Sequence, residues 1–165
     1  RRVNISKNEN IHCGNWVLSV EFTPVSLNSE MTVIRLVMMT GRLILIFAAV
    51  SGFIFVALGA FGAHGLSKIL DAQQMAWLRT GLEYQGLHTL AILALGIAVQ
   101  HQGNIWFQRS ATFLALGTIL FSGSLYWLAL STTKMWVYIT PIGGFCFLIG
   151  WALLLVGALR QNKKV

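Results

Sequence analysis

Four apolar runs, at residues 43–61, 82–99, 111–130 and 136–159, restrict this chain more than any other feature of its sequence. A bilayer core of about 30 Å is crossed by roughly 20 apolar residues in a helix. Inside it every backbone N–H and C=O must find a partner within the protein, which leaves helices or a closed barrel. Barrel strands alternate apolar and polar residues, and these runs do not. The second run reaches full length only by extending back through Tyr84 and Gln85. The sequence therefore predicts an all-α integral membrane protein with four transmembrane helices.

Charge agrees with that reading. Only 10% of the 165 residues are charged, against roughly a quarter in soluble domains, and 56% are hydrophobic. A net charge of +7 raises the question of nucleic acid. The basic residues fall singly between apolar runs, as loop charges of membrane proteins do, so nucleic acid is excluded as a partner. Membrane lipid is the partner the composition implies, with a homo-oligomer or another membrane protein as the further partner class. Cys13 and Cys146 form no framework, one lying in the polar leader and the other inside the last run.

Residues 1–38 differ from the rest. Arg1 to Glu30 is mixed and polar with no sustained period, and the positive start is not followed by a signal-peptide core. Residues 1–38 read as a disordered leader or upstream translation ahead of Met39, with residues 39–165 as the four-helix domain. The connections 101–109 and 131–134 are short, so consecutive spans are antiparallel neighbours. Residues 65–80 place Leu66, Ile69, Leu70, Trp77 and Leu78 on one face, and Lys68, Asp71, Gln74 and Arg79 largely elsewhere. That pattern predicts a short amphipathic helix lying in the interface between spans one and two.

Orientation follows from Lys and Arg near the span ends. Arg35, Arg42, Arg109, Arg160, Lys163 and Lys164 fall on one side, and Lys68, Arg79 and Lys134 on the other. Both termini are thus expected in the cytoplasm. Trp77, Tyr126, Trp127, Trp136 and Tyr138 then form an outer aromatic belt, with Trp106 at the inner surface.

Helices in lipid approach closely where small residues allow it. Gly143, Gly150 and Gly157 recur every seven residues and form one stripe on the fourth span; Gly52 and Gly59 do the same on the first. These are predicted packing positions. The polar candidates are His64, Glu83, Tyr84 and His88, which gather towards the outer ends of spans one and two. Ionisable groups at membrane depth are costly and mark function or bracing. A carboxylate and two imidazoles can pass a proton or bind a divalent ion; they can equally hydrogen-bond across helices. No metal motif, phosphate loop, nucleophile elbow or haem-attachment motif is present, so no catalytic, cofactor or metal residue is assigned and no enzyme activity is expected. Two functions stay open: a structural or partner-binding membrane protein, or a small oligomeric transporter or proton- or ion-conducting unit using the His/Glu cluster.

Several stretches carry a family likeness. They are Gly59-Ala-Phe-Gly-Ala-His64, Thr80-Gly-Leu-Glu-Tyr-Gln85, His88-Thr-Leu-Ala-Ile-Leu93, Phe113-Leu-Ala-Leu-Gly-Thr118, Phe121-Ser-Gly-Ser-Leu-Tyr126 and Thr140-Pro-Ile-Gly-Gly144. In this order they resemble the YgdD-like family of small uncharacterised bacterial inner-membrane proteins, from about Met39 to the tail. The resemblance implies a multi-pass protein of the bacterial inner membrane. It carries over no activity, substrate or catalytic residue.

Overall fold

A computed structural model describes residues 24–131 and 134–161. Four long helices dominate them: α1 (Pro24–His64), α2 (Ala72–Gln102), α3 (Ile105–Leu130) and α4 (Ile139–Gln161). Each is long and apolar enough to cross a membrane, over Met38–Lys68, Ala72–Gln102, Ile105–Leu130 and Trp136–Gln161. The four-span reading holds, with each span running beyond the apolar run that announced it. The chain divides into two compact units, residues 1–33 and 34–165. The first is described only at residues 24–33. Cys13, Lys163 and Lys164 lie outside the described residues.

No separate interfacial helix joins the first two spans. A single 3₁₀ turn, Leu66–Lys68, follows α1, and α2 then starts at Ala72. The start is set by a capping box. Asp71 Oδ1 accepts the Gln74 N–H at 2.7 Å, and Gln74 Oε1 accepts the Asp71 N–H at 3.0 Å. Nothing then stops the helix before Gly103, so residues 72–80 become its first turns instead of an independent segment. Gly103 (φ 60°) ends α2 in the left-handed conformation, its N–H returning to Val99 O at 2.9 Å. Asn104 at once caps α3, its Oδ1 accepting the Trp106 N–H at 2.9 Å. Two residues therefore reverse the chain, which makes α2 and α3 a tight antiparallel pair. Pro141 sits in the first turn of α4, where its missing N–H costs nothing.

Helices α3 and α4 are held by a column of glycines. A Cβ built on Gly157 would lie 2.7 Å from Phe107, and one on Gly150 2.5 Å from Leu114. At Gly143 it would meet the backbone of Phe121, 2.8 Å from its Cα. Phe107, Leu114 and Phe121 are themselves seven apart, so the two antiparallel columns mesh residue for residue. The first span behaves differently. Gly52 makes only ordinary contact with Thr89, 3.8 Å from a built Cβ, and Gly59 has no such atom within 4 Å. The close approaches between α1 and α2 fall instead at Gly96, 2.7 Å from Leu45, at Gly86, 2.9 Å from Phe55, and at Gly41, 2.5 Å from Gln100. Equal spacing in α1 creates a stripe, but only a facing column of large side chains makes a stripe a seam.

The buried core runs through all four helices: Ile44 and Ala48, Ile92, Leu95 and Val99, Phe107, Ala111 and Leu114, and Phe147. Span α3 is the most covered, with 44% of its most apolar window buried; α1 is the least, at 17%, and turns most of its surface outward. One turn of α3 departs from the α-helix. Thr118–Ser122 forms a wide π-helical turn, where Thr118 Oγ1 donates back to Leu114 O at 2.9 Å. The buried Ser122 hydroxyl has no partner among the described residues.

Candidate functional site

The buried stripe of α2 comprises Leu78, Gly81, Gln85, His88, Thr89, Ile92, Leu95, Gly96 and Val99. Its spacing of three and four is that of one helix face, yet its middle is polar. That polar middle is where the bundle's side-chain hydrogen bonds concentrate.

His88 is 3% exposed and uses both ring nitrogens. Nδ1 lies 2.7 Å from Tyr84 O one turn back, and Trp151 Nε1–H donates to Nε2 at 3.2 Å. A neutral imidazole with its proton on Nδ1 satisfies both contacts, which assigns the tautomer from the network. The Phe147 ring stacks on the imidazole at 3.6 Å and 11°. Tyr84 and Phe121 complete the aromatic wall, their centroids 4.5 Å apart. Beside these rings lies a groove of about 460 Å³, bordered also by Leu87, Pro141, Phe145 and Leu148. The π-helical turn supplies Phe121, so the irregular part of α3 faces this wall.

On the adjoining side, Gln85 joins three helices. Its Nε2 donates to Ser51 O at 2.9 Å and to Ser51 Oγ at 3.2 Å, and Ser51 Oγ shares a 2.6 Å hydrogen bond with Thr89 Oγ1. Tyr126 O–H donates to Gln85 Oε1. Tyr126 is therefore a half-buried residue of the bundle. Two further bonds tie α3 to α4: Ser110 Oγ to Gly150 O at 2.8 Å, and Ser124 Oγ with Thr140 Oγ1 at 2.8 Å.

Of the four polar candidates, the structure brings together Tyr84 and His88. Glu83 and His64 are exposed. Five residues along a helix turn a side chain by about 140°, so Glu83 and His88 occupy different faces of α2. Among the described residues no three His, Cys, Asp or Glu side chains gather where they could hold a metal ion. Sequence reasoning missed Gln85, Ser51, Thr89, Tyr126 and Trp151 as site residues. The available signal was Gln85 itself, an amide inside a span, placed on the same helix face as Thr89. Chemically the site offers neutral donors and acceptors facing one another.

Comparison with known proteins places this geometry in context. A family model described as "Protein of unknown function (DUF423)" matches residues 58–144. The chain is 64% identical over 126 residues to the UPF0382 inner membrane protein YgdD of Escherichia coli K12, covering 76% of this chain and 96% of that protein. A UPF0382 membrane protein of Haemophilus influenzae is 49% identical over 115 residues, 70% of this chain and 92% of the relative. One from Staphylococcus saprophyticus is 37% identical over 119 residues, 72% of this chain and 98% of the relative. No solved structure matches.

Proposed function

Because the chain belongs to the UPF0382 family of membrane proteins, we propose that it is a non-enzymatic inner-membrane protein, a braced four-helix body that binds a partner within the bilayer. The partner is a second copy of the chain or another membrane protein. The observation that carries this reading is His88, whose two nitrogens are both engaged inside the bundle. Its partners, a backbone carbonyl and an indole N–H, neither take up nor give up a proton near neutral pH, so these contacts support a bracing role for the ring. A second reading, a small oligomeric proton- or ion-conducting unit, draws on the π-helical turn of α3 beside His88, a local form that recurs at functional sites.

One set of variants separates them. His88→Gln keeps a donor and an acceptor and is expected to leave stability nearly unchanged. His88→Leu loses both interhelical and local bonds and costs about 1 kcal/mol, membrane hydrogen bonds averaging about 0.6 kcal/mol each. Vesicles reconstituted with wild type, His88→Gln, His64→Gln or Glu83→Gln are expected to show equal and negligible proton flux. Flux through wild type that His88→Gln abolishes would overturn the bracing role.

In this reading both termini face the cytoplasm. Arg42, Arg109 and Arg160 then lie on the inner side, with Lys68 and Arg79 outside. A reporter joined after Val165 is expected to be cytoplasmic and one inserted at residues 131–134 external. The opposite pair of results would reverse the orientation.

A further inference from the structure

At the end of the bundle where α2 passes into α3, two arginines share one indole. The Arg160 guanidinium carbon lies 4.4 Å from the Trp106 ring centroid, and that of Arg109 lies 5.4 Å from it. The fold brings them there by the features already described. Asn104 caps α3 so that Trp106 and Arg109 fall in its opening turns, and Gly157 lets that stretch close on the end of α4, a built Cβ there lying 3.0 Å from Trp106 Cβ. Both arginines are exposed, and neither has a hydrogen bond or an ion pair among the described residues.

Their charges are uncompensated within the described bundle. Asp71, the N-cap of α2, is at the far end of that helix, and Glu83 lies in its first half, away from this end. Gly41 packs on Gln100, which puts Arg42 at this same end and adds a third cation. Arg160 suits the negative C-terminal end of α4, but Arg109 stands in the first turns of α3, where the helix dipole disfavours a cation. An anion held between the two guanidiniums removes both the mutual repulsion and that conflict. The partly buried Trp106 ring also leaves its Nε1–H without an acceptor among the described residues.

We infer that Arg109, Arg160 and Trp106 form a binding site for the phosphate of an anionic phospholipid. A lipid fits better than a free phosphate because the cations sit where two candidate spans end, at headgroup level. An exposed apolar side chain lies next to Arg160 on α4, Leu159 being 64% exposed, and offers an acyl chain a surface beside the cations. Basic sites between membrane helices recognise anionic headgroups by this combination of charge and apolar contact.

The test is native mass spectrometry of the detergent-purified full chain, titrated with equimolar phosphatidylglycerol and phosphatidylcholine. Wild type is expected to retain phosphatidylglycerol preferentially. Arg109→Gln and Arg160→Gln each weaken that retention about fivefold, and the double variant roughly 25-fold, the yield of one surface charge each. Lys68→Gln, on the opposite side, leaves it unchanged. Glycerol 3-phosphate at the same concentration does not displace the lipid. Thermal melting confirms that the variants, altered only at exposed side chains, remain folded. Equal retention of the two lipids by wild type, or full retention by the folded double variant, overturns the site. Displacement by glycerol 3-phosphate overturns the assignment to lipid.

Discussion

Gly143→Ala is expected to destabilise the folded protein by about 2–3 kcal/mol, while Gly59→Ala changes it by less than about 0.5 kcal/mol. Both replace a helical glycine in a membrane span by the residue with the best helix propensity, so local preference favours the two changes equally. They differ in what the new methyl group meets. At Gly143 it runs into the backbone of Phe121, 2.8 Å from its Cα and equally close to its Cβ, and a backbone cannot swing aside as a side-chain tip does. The helices must separate along the seam, which loosens Gly150 against Leu114 as well. At Gly59 the methyl group enters open space. Denaturation in mixed micelles measures both. Equal stability of the two variants would show that the seam carries no energetic weight.

Gln85→Leu is expected to cost about 2 kcal/mol and to do so through its neighbours. Gln85 is 4% exposed, and leucine fills comparable space, so little of the loss comes from packing. The change strands the Tyr126 hydroxyl and removes the donor serving Ser51, at about 0.6 kcal/mol for an average interhelical bond and up to about 1.7 for a strong one. A buried polar group left without its partner costs more than one removed together with it. Tyr126→Phe made in the Gln85→Leu background should therefore recover part of the loss. A double-mutant cycle with no coupling between the two positions would contradict the hydrogen bond's contribution.

These two positions also mark where the sequence was readable. Hydropathy is a local property, so the four spans could be recognised from single runs, and the family likeness rested on short ordered stretches. The stripe of Gly143, Gly150 and Gly157 was equally legible because seven-residue spacing survives in a helix. What spacing could not reveal was the facing surface. Gly52 and Gly59 have the same interval, yet α1 meets α2 through Gly41, Gly86 and Gly96 instead. The interfacial helix failed for a related reason. Its amphipathic pattern was real, but the Asp71–Gln74 capping box and the lack of a stop before Gly103 absorbed it into α2.

The polar site was half legible. Tyr84 and His88 could be paired from their four-residue interval, whereas Trp151, the second partner of His88, lies 63 residues further along the chain. Glu83 and His64 drew notice because charge is conspicuous in an apolar sequence. The neutral Gln85 did not, although it connects more helices than any of them. No periodicity announced the π-helical turn, since such a turn depends on how α3 must meet α2 and α4 at once.

The meshing of α3 with α4 bears on how this protein meets membranes of differing thickness. Two smooth helices slide past one another to match a thinner bilayer. Here three large side chains sit against three glycines at fixed intervals, and a shift of less than a heptad, about 10 Å, would press side chain against side chain. The pair must therefore tilt as one plank, or the lipids around it must stretch or compress, at a cost that rises with each ångström of mismatch. A change in lipid length is therefore met by α3 and α4 tilting together, not by one sliding along the other.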